Sequence, residues 1–181
     1  MKKIIGLVGE IASGKGTVSK YLQEKHNAKV YRFSDVLREI LSVLYLDCDR
    51  KNLSELSLCL RETFGEDILS NALVRKVLND EHDLIILDGV RRKEELKFFD
   101  EIEGFQLVYV ECDIKDRYKR IIERGENMDD KNKTFEDFKK DHERDAEIRI
   151  RELKERADKV IDNDGSLEEL YDKVDKILTN G

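Results

Sequence analysis

Five short apolar runs recur along the chain: KIIGLVG from Lys3, KVYRF from Lys29, LIILD from Leu84, FQLVYVE from Phe105 and KVID from Lys159. Each is bounded by polar residues and too short for a buried helix, so each predicts a strand. The segments between them place apolar residues at helical spacing. Strand alternating with helix is the pattern of a parallel sheet covered on both faces, which predicts an α/β fold: a three-layer α/β/α sandwich with a five-stranded parallel sheet. Further along, Phe135, Phe138, His142, Ala146, Ile150, Leu153 and Ala157 step by threes and fours. That spacing predicts one amphipathic helix whose narrow stripe packs against the domain.

Ligands of such sheets gather at the carboxyl ends of the strands. All five predicted ends are polar: GEIASGKGT, SDVLRE, DGVRR, CDIKDRYKR and NDGS follow the runs in order. The preference of helix starts for Ser, Asp and Asn accounts for Ser34 or Asp35, Asp113 and Ser166 as caps. It does not account for the arginines.

Length and composition narrow the classes. A chain of 181 residues with 39% hydrophobic and 41% charged residues is a charged but foldable single domain spanning 1–181. A net charge of −7 opposes a general basic surface for nucleic acid and leaves room only for a local basic pocket. Glu10 and the glycines interrupt the N-terminal apolar stretch too early for a signal peptide, and no run approaches the ~20 apolar residues of a membrane span. A soluble cytoplasmic protein is expected. Cys48, Cys59 and Cys112 are isolated thiols without CxxC pairing, consistent with a reducing compartment and with no zinc site. His26, His82 and His142 show no mutual spacing and read as surface residues. The composition is compatible with a monomer or a weak homodimer.

The chemistry begins at Gly9. Gly9, Gly14 and Lys15 satisfy GxxxxGK behind a strand and before the helical stretch GTVSKYLQEKH. Glycines there let backbone N–H groups turn onto phosphate oxygens, and the lysine reaches the terminal phosphates. Gly16 stands directly after Lys15, with Thr17 one step later, so a hydroxyl placed directly on magnesium is not assured. Asp88 closes the third strand, where a carboxylate can order metal-bound water; a turn cap before Gly89 is the alternative. Asp35 and Arg38 lie one helical turn apart, on one face. Arg117, Arg120 and Arg124 recur at spacings of three and four, with Arg144 beyond the polar segment GENMDDKNK.

GKGT, SDVLRE and LIILDGVRR together resemble the adenylate kinase and nucleoside monophosphate kinase group of P-loop proteins, nearly end to end. Within it the chain is most similar to small adenylate-kinase-related proteins with DGVR after the third strand, and it shares features with dephospho-CoA kinases. The resemblance implies ATP and Mg²⁺ as cofactors and a small-molecule phosphate acceptor as partner. It implies that Ser13, Gly14 and Gly16 hold the β-phosphate and that Thr17 approaches the α-phosphate. Thr17 and Asp88 would meet Mg²⁺ through water.

By the same resemblance Arg38 clamps the acceptor phosphate, and Asp35 is a base or an orienting group, a role strongest for a hydroxyl acceptor. Arg91 or Arg92 binds the acceptor, the DGVR spacing favouring Arg91, and Arg61 is a further acceptor candidate. The acceptor-binding helices would span about 35–80 and a short helical lid about 117–145. Arg117, Arg120, Arg124 and Arg144 would border that lid, meeting nucleotide, transferred phosphoryl group and acceptor, and Asn163 in NDGS would border the adenine. Phosphoryl transfer to a nucleoside monophosphate is the leading expectation. The hydroxyl of dephospho-CoA is second, and a non-kinase nucleotide-dependent switch or assembly ATPase is the alternative of another class.

Overall fold

The computed structural model describes residues 2–124, 133–143 and 145–179. All five expected strands form: β1 (Lys3–Val8), β2 (Lys29–Arg32), β3 (Leu84–Asp88), β4 (Phe105–Glu111) and β5 (Lys159–Asp162). They make one sheet in the order β2-β3-β1-β4-β5, and every neighbouring pair is parallel.

Alternation along the strands divides the apolar residues between two faces. On one face Ile4, Val8, Ile85, Leu87, Leu107 and Tyr109 pack with helices α2 (Phe33–Val43), α3 (Arg50–Phe64) and α4 (Ile68–Asn79). On the other, Ile5, Leu7, Ile86, Val108, Val110 and Ile161 meet Val18 and Leu22 of α1 (Lys15–His26) and Leu170 and Val174 of α8 (Leu167–Thr179). Helices thus flank both faces of the sheet, which is the P-loop kinase-like arrangement.

Register aligns the carboxyl ends. Arg32 stands beside Asp88, Leu7 beside Asp88, and Glu111 beside Asp162. The loops that follow these residues therefore share one edge of the sheet.

The single helix expected from the 135–157 stripe is corrected. The chain forms α6 (Phe135–His142), α7 (Asp145–Glu152) and a 3₁₀ turn at Leu153–Arg156, preceded by α5 (Ile114–Arg124). In one continuous helix residues nine apart would point in opposite directions, with a rise of about 13 Å between them. Yet His142 and Arg151 both reach the same oxygen, Glu10 Oε1, at 2.8 and 3.1 Å, and Arg151 Nη1 donates to the His142 carbonyl at 2.7 Å. The break allows both contacts, while Phe138, Ile150 and Leu153 of the stripe are still buried.

Candidate active site

The glycine loop leaves β1 and ends in α1. Gly9, Ala12 and Gly14 have φ of +155°, +60° and +107°, the positive values that bend successive peptide groups toward a common centre. Gly14 is the N-cap of α1 and no side chain caps that end, so first-turn N–H groups stay available to an anion. Ser13 Oγ is buried and has no hydrogen-bond partner among the described residues.

Lys15 folds over the loop, its Nζ donating to the carbonyls of Gly9 at 2.5 Å and Glu10 at 2.9 Å. Burial lowers its pKa to about 8, Asp88 and Glu147 act in the opposite sense, and Arg91 and Arg117 reinforce the fall. Lys15, which follows β1, and Asp88 and Arg91, both at the end of β3, therefore influence one another electrostatically.

Asp88 is mostly buried and accepts from Arg32 Nε at 3.3 Å. Asp35 accepts from the backbone N–H of Arg32 at 2.8 Å, completing a capping box at the start of α2. Arg38, on the same helix, is exposed. Beside this helix start, Gly16, Ser19, Lys20, Gln23, Val30, Arg32 and Asp35 line a groove of about 530 Å³.

The Arg61 side chain and the Arg91 backbone meet on a residue that no motif announced. Glu95, 4% exposed, accepts from the Arg91 N–H at 2.8 Å, and its other oxygen lies 3.6 Å from Arg61 Nη2. Burial raises its pKa, against the Arg91 N–H and the Arg61 charge. Arg92 Nη1 donates to Glu66 Oε2 at 2.9 Å.

Two braces hold the loop from the far side. Asn163, buried, donates from Nδ2 to the Ser13 carbonyl at 2.7 Å, while Arg120 donates to that carbonyl at 3.4 Å and to the Asn163 carbonyl at 2.8 Å. Arg117 is 2% exposed. It donates to the carbonyls of Cys112 and Ile11 and pairs with Glu10 Oε2 at 3.2 Å. Buried in this way, Arg117 contacts the glycine loop from behind and is not exposed at a cleft surface. His142, expected at the surface, belongs to the same cluster through Glu10. Arg144 and the side chain of Arg124 lie outside the described residues.

Glu10, Arg32, Glu95, His142 and Arg151 were missed by motif reading. Arg32 had a usable signal, since it is the last residue of β2 and so falls on the carboxyl edge. Glu10 occupies a variable position of the loop motif, and the other three had no local signature.

A GxxxxGK loop braced at both ends, before an uncapped helix and beside a strand-end carboxylate, defines a P-loop kinase-like protein. The chain belongs to the family described as AAA domain, which matches residues 5–148, and to the UPF0200 proteins. A UPF0200 protein of Saccharolobus islandicus is 34% identical over 99% of this chain and 96% of its own.

Solved structures share the fold. TT1252 from Thermus thermophilus superposes with a TM-score of 0.65 at 22% identity, covering 99% of this chain and 97% of the other. A dephospho-CoA kinase from Campylobacter jejuni gives 0.60 at 17% with the same coverage. A shikimate kinase from Bacteroides thetaiotaomicron gives 0.57 at 14%, covering 98% and 97%. Among the described residues no helix is long and apolar enough to cross a membrane.

Proposed function

We propose that the protein transfers the γ-phosphoryl group of ATP to a small-molecule acceptor, with a nucleoside monophosphate as the acceptor. The observation that carries this reading is that Asp88 and Arg91 leave β3 directly beside the end of β1 that leads into the Lys15 loop, with Arg61 joined to the Arg91 loop through Glu95. Phosphoryl transfer is catalysed mainly by positioning and electrostatic stabilisation, and it needs cations on both the donor and the acceptor side. Hydrolysis by a switch protein is served by a single arginine at the γ-phosphate, whereas a separate acceptor-side group of arginines suits transfer to an anionic acceptor.

In this reading the loop N–H groups and Lys15 hold the donor phosphates, and Arg91 and Arg61 receive the phosphate of the acceptor. Arg120 and Asn163 keep the loop in shape. Asp88 and Thr17 offer hard oxygen donors that fit Mg²⁺ bound through water and shared with phosphate oxygens. The ion would neutralise charge on the transferred group. The Asp88 carboxylate also sustains the charge of Lys15, so it has a role in binding whether or not it faces the metal shell.

A hydroxyl acceptor such as dephospho-CoA is the second reading, favoured by the kinases among the structures that share the fold. For such an acceptor Asp35 would be the orienting carboxylate, and its capping bond to Arg32 N occupies one of its two oxygens.

The test is incubation with ATP, Mg²⁺ and a panel of nucleoside monophosphates plus dephospho-CoA, with products resolved by mass and Lys15→Ala as control. Phosphorylation of a nucleoside monophosphate, lost in the variant, supports the reading. Transfer to dephospho-CoA alone moves the function to the second reading. ATP hydrolysis without transfer to any acceptor rejects both.

A further inference from the structure

Glu95 is a buried carboxylate at the end of a 3₁₀ turn, Lys93–Glu95, seven residues beyond Asp88. Its two oxygens engage different elements: Oε2 accepts the Arg91 N–H from the loop after β3, and Oε1 faces Arg61 Nη2 from α3. Its own N–H donates to the Arg92 carbonyl at 3.2 Å, which closes the loop on itself. Arg61 Nε is buried and finds no partner among the described residues.

The charges explain why a carboxylate is needed. Arg91 and Arg92 each disfavour the charge of Arg61, whereas Glu95 and Glu66 favour it. Glu95 pairs with Arg61 and Glu66 with Arg92, and the exposed Arg91 beside them adds a further positive charge, which suits an anion. A glutamine at 95 could accept the Arg91 N–H as well as a glutamate does. It would lack the charge that Glu95 sets beside Arg61, and burying a carboxylate is costly unless a cation compensates it.

We propose that Glu95 is a positioning residue for an anion subsite formed by Arg61 and Arg91, holding the Arg61 guanidinium by its charge and the loop that carries Arg91 by that residue's N–H, in the geometry that receives a phosphate. The assignment of that phosphate to the acceptor rests on the phosphoryl-transfer reading above. The coupling of Glu95 to the two arginines does not.

Glu95→Gln keeps an acceptor for the Arg91 N–H and removes the charge. With Mg²⁺ and ATP, the KM for the nucleoside monophosphate should rise about tenfold while that for ATP stays within about twofold, and Glu95→Asp should recover part of the loss. Inorganic phosphate titrated into isotope-labelled protein, read at the Arg61 Nε–H and Arg91 amide resonances, reports the same subsite without turnover. Its affinity should fall by a similar factor in Glu95→Gln. Wild-type acceptor KM and phosphate affinity in Glu95→Gln overturn the proposal, and so does an equal loss of ATP affinity, which marks a general packing role.

If the wild-type protein phosphorylates no acceptor, the phosphoryl-transfer reading fails and the phosphate titration alone decides. Weaker phosphate binding in Glu95→Gln then upholds the proposal, whereas equal binding, or no response of Arg61 in the wild type, overturns it. Should Glu95→Gln not fold, Glu95→Asp is compared with the wild type on the same readouts.

Discussion

His142 Nδ1 lies 2.8 Å from Glu10 Oε1, so the last residue of α6 is bound to the second residue of the phosphate loop. Glu10 also pairs with Arg117 of α5 and Arg151 of α7. Three helices thus converge on one loop carboxylate, two through guanidinium groups and one through an imidazole. Ile11 N extends the connection by donating to Glu147 Oε2 at 3.4 Å.

Acid should loosen this connection. Burial lowers the His142 pKa below its ordinary 6.5, with Arg151 and Arg117 acting in the same sense and Glu10 and Glu147 opposing them. The unfolded chain therefore binds the proton more readily, so this contribution to stability is present above pH 6.5 and is lost as pH falls through and below that value. Melting temperatures of the wild type should fall between pH 7.5 and 5.5 more steeply than those of His142→Asn. Parallel slopes for the two proteins would remove His142 from the explanation.

Lys15 should cost stability. Its pKa near 8, lowered mainly by burial from 10.5, means the charged form is held against desolvation at neutral pH. Folded Lys15 binds its proton less tightly than unfolded Lys15, so the cost is complete below pH 8 and fades as pH rises toward 10.5. Lys15→Met should raise stability at pH 7 by up to about 3 kcal/mol and abolish ATP binding. Denaturant unfolding at pH 7 and pH 10, with ATP titration by calorimetry, checks both halves. A variant less stable than wild type at pH 7 would show that the two loop carbonyl bonds outweigh the desolvation.

The sheet was legible because its signal is local: five apolar runs bounded by polar residues map onto five strands, and the strand-end rule led to Asp88, Arg91 and the glycine loop. The supporting shell was legible only in part: Arg117, Arg120 and Asn163 stood out as candidates, but what they hold did not, since the partners come from distant parts of the chain. Glu10 and Arg151 are 141 positions apart, and Asn163 reaches Ser13 across 150. The broken helix shows the same limit: periodicity carried the packing of Phe138, Ile150 and Leu153, but the break goes with contacts to a distant carboxylate, Glu10, that periodicity cannot see.

Asn163 should act on nucleotide binding without touching the phosphates. Its amide is the closest donor to the Ser13 carbonyl, at 2.7 Å in a buried position. Asn163→Ala removes that donor and leaves the longer Arg120 contact at 3.4 Å. Stability should fall by about 1–3 kcal/mol, and ATP affinity should weaken because the loop is no longer pre-shaped. Thermal unfolding together with ATP titration tests this. A stable variant with wild-type affinity would show that Arg120 suffices as the brace.

Gly9 and Gly16 belong to one loop but should respond oppositely to alanine. A Cβ on Gly9 would lie 2.3 Å from the Val110 carbonyl oxygen and 2.7 Å from Ser13 Oγ, and its φ of +155° disfavours a side chain. Because Val110 is fully buried in β4 and paired there with Ile161 of β5, it cannot move freely, and Gly9→Ala should destabilise the fold by about 2–4 kcal/mol. A Cβ on Gly16 meets nothing within 4 Å, and the residue lies in the first turn of α1. Gly16→Ala should therefore leave stability unchanged or raise it by up to about 1 kcal/mol. If Gly16→Ala nonetheless loses ATP affinity, the absence of a side chain there serves the approach of phosphate to backbone and not the fold. If both stability and affinity are unchanged, the nucleotide does not pass close to Gly16, and the phosphate position inferred from the loop must move toward Gly9 and Ser13.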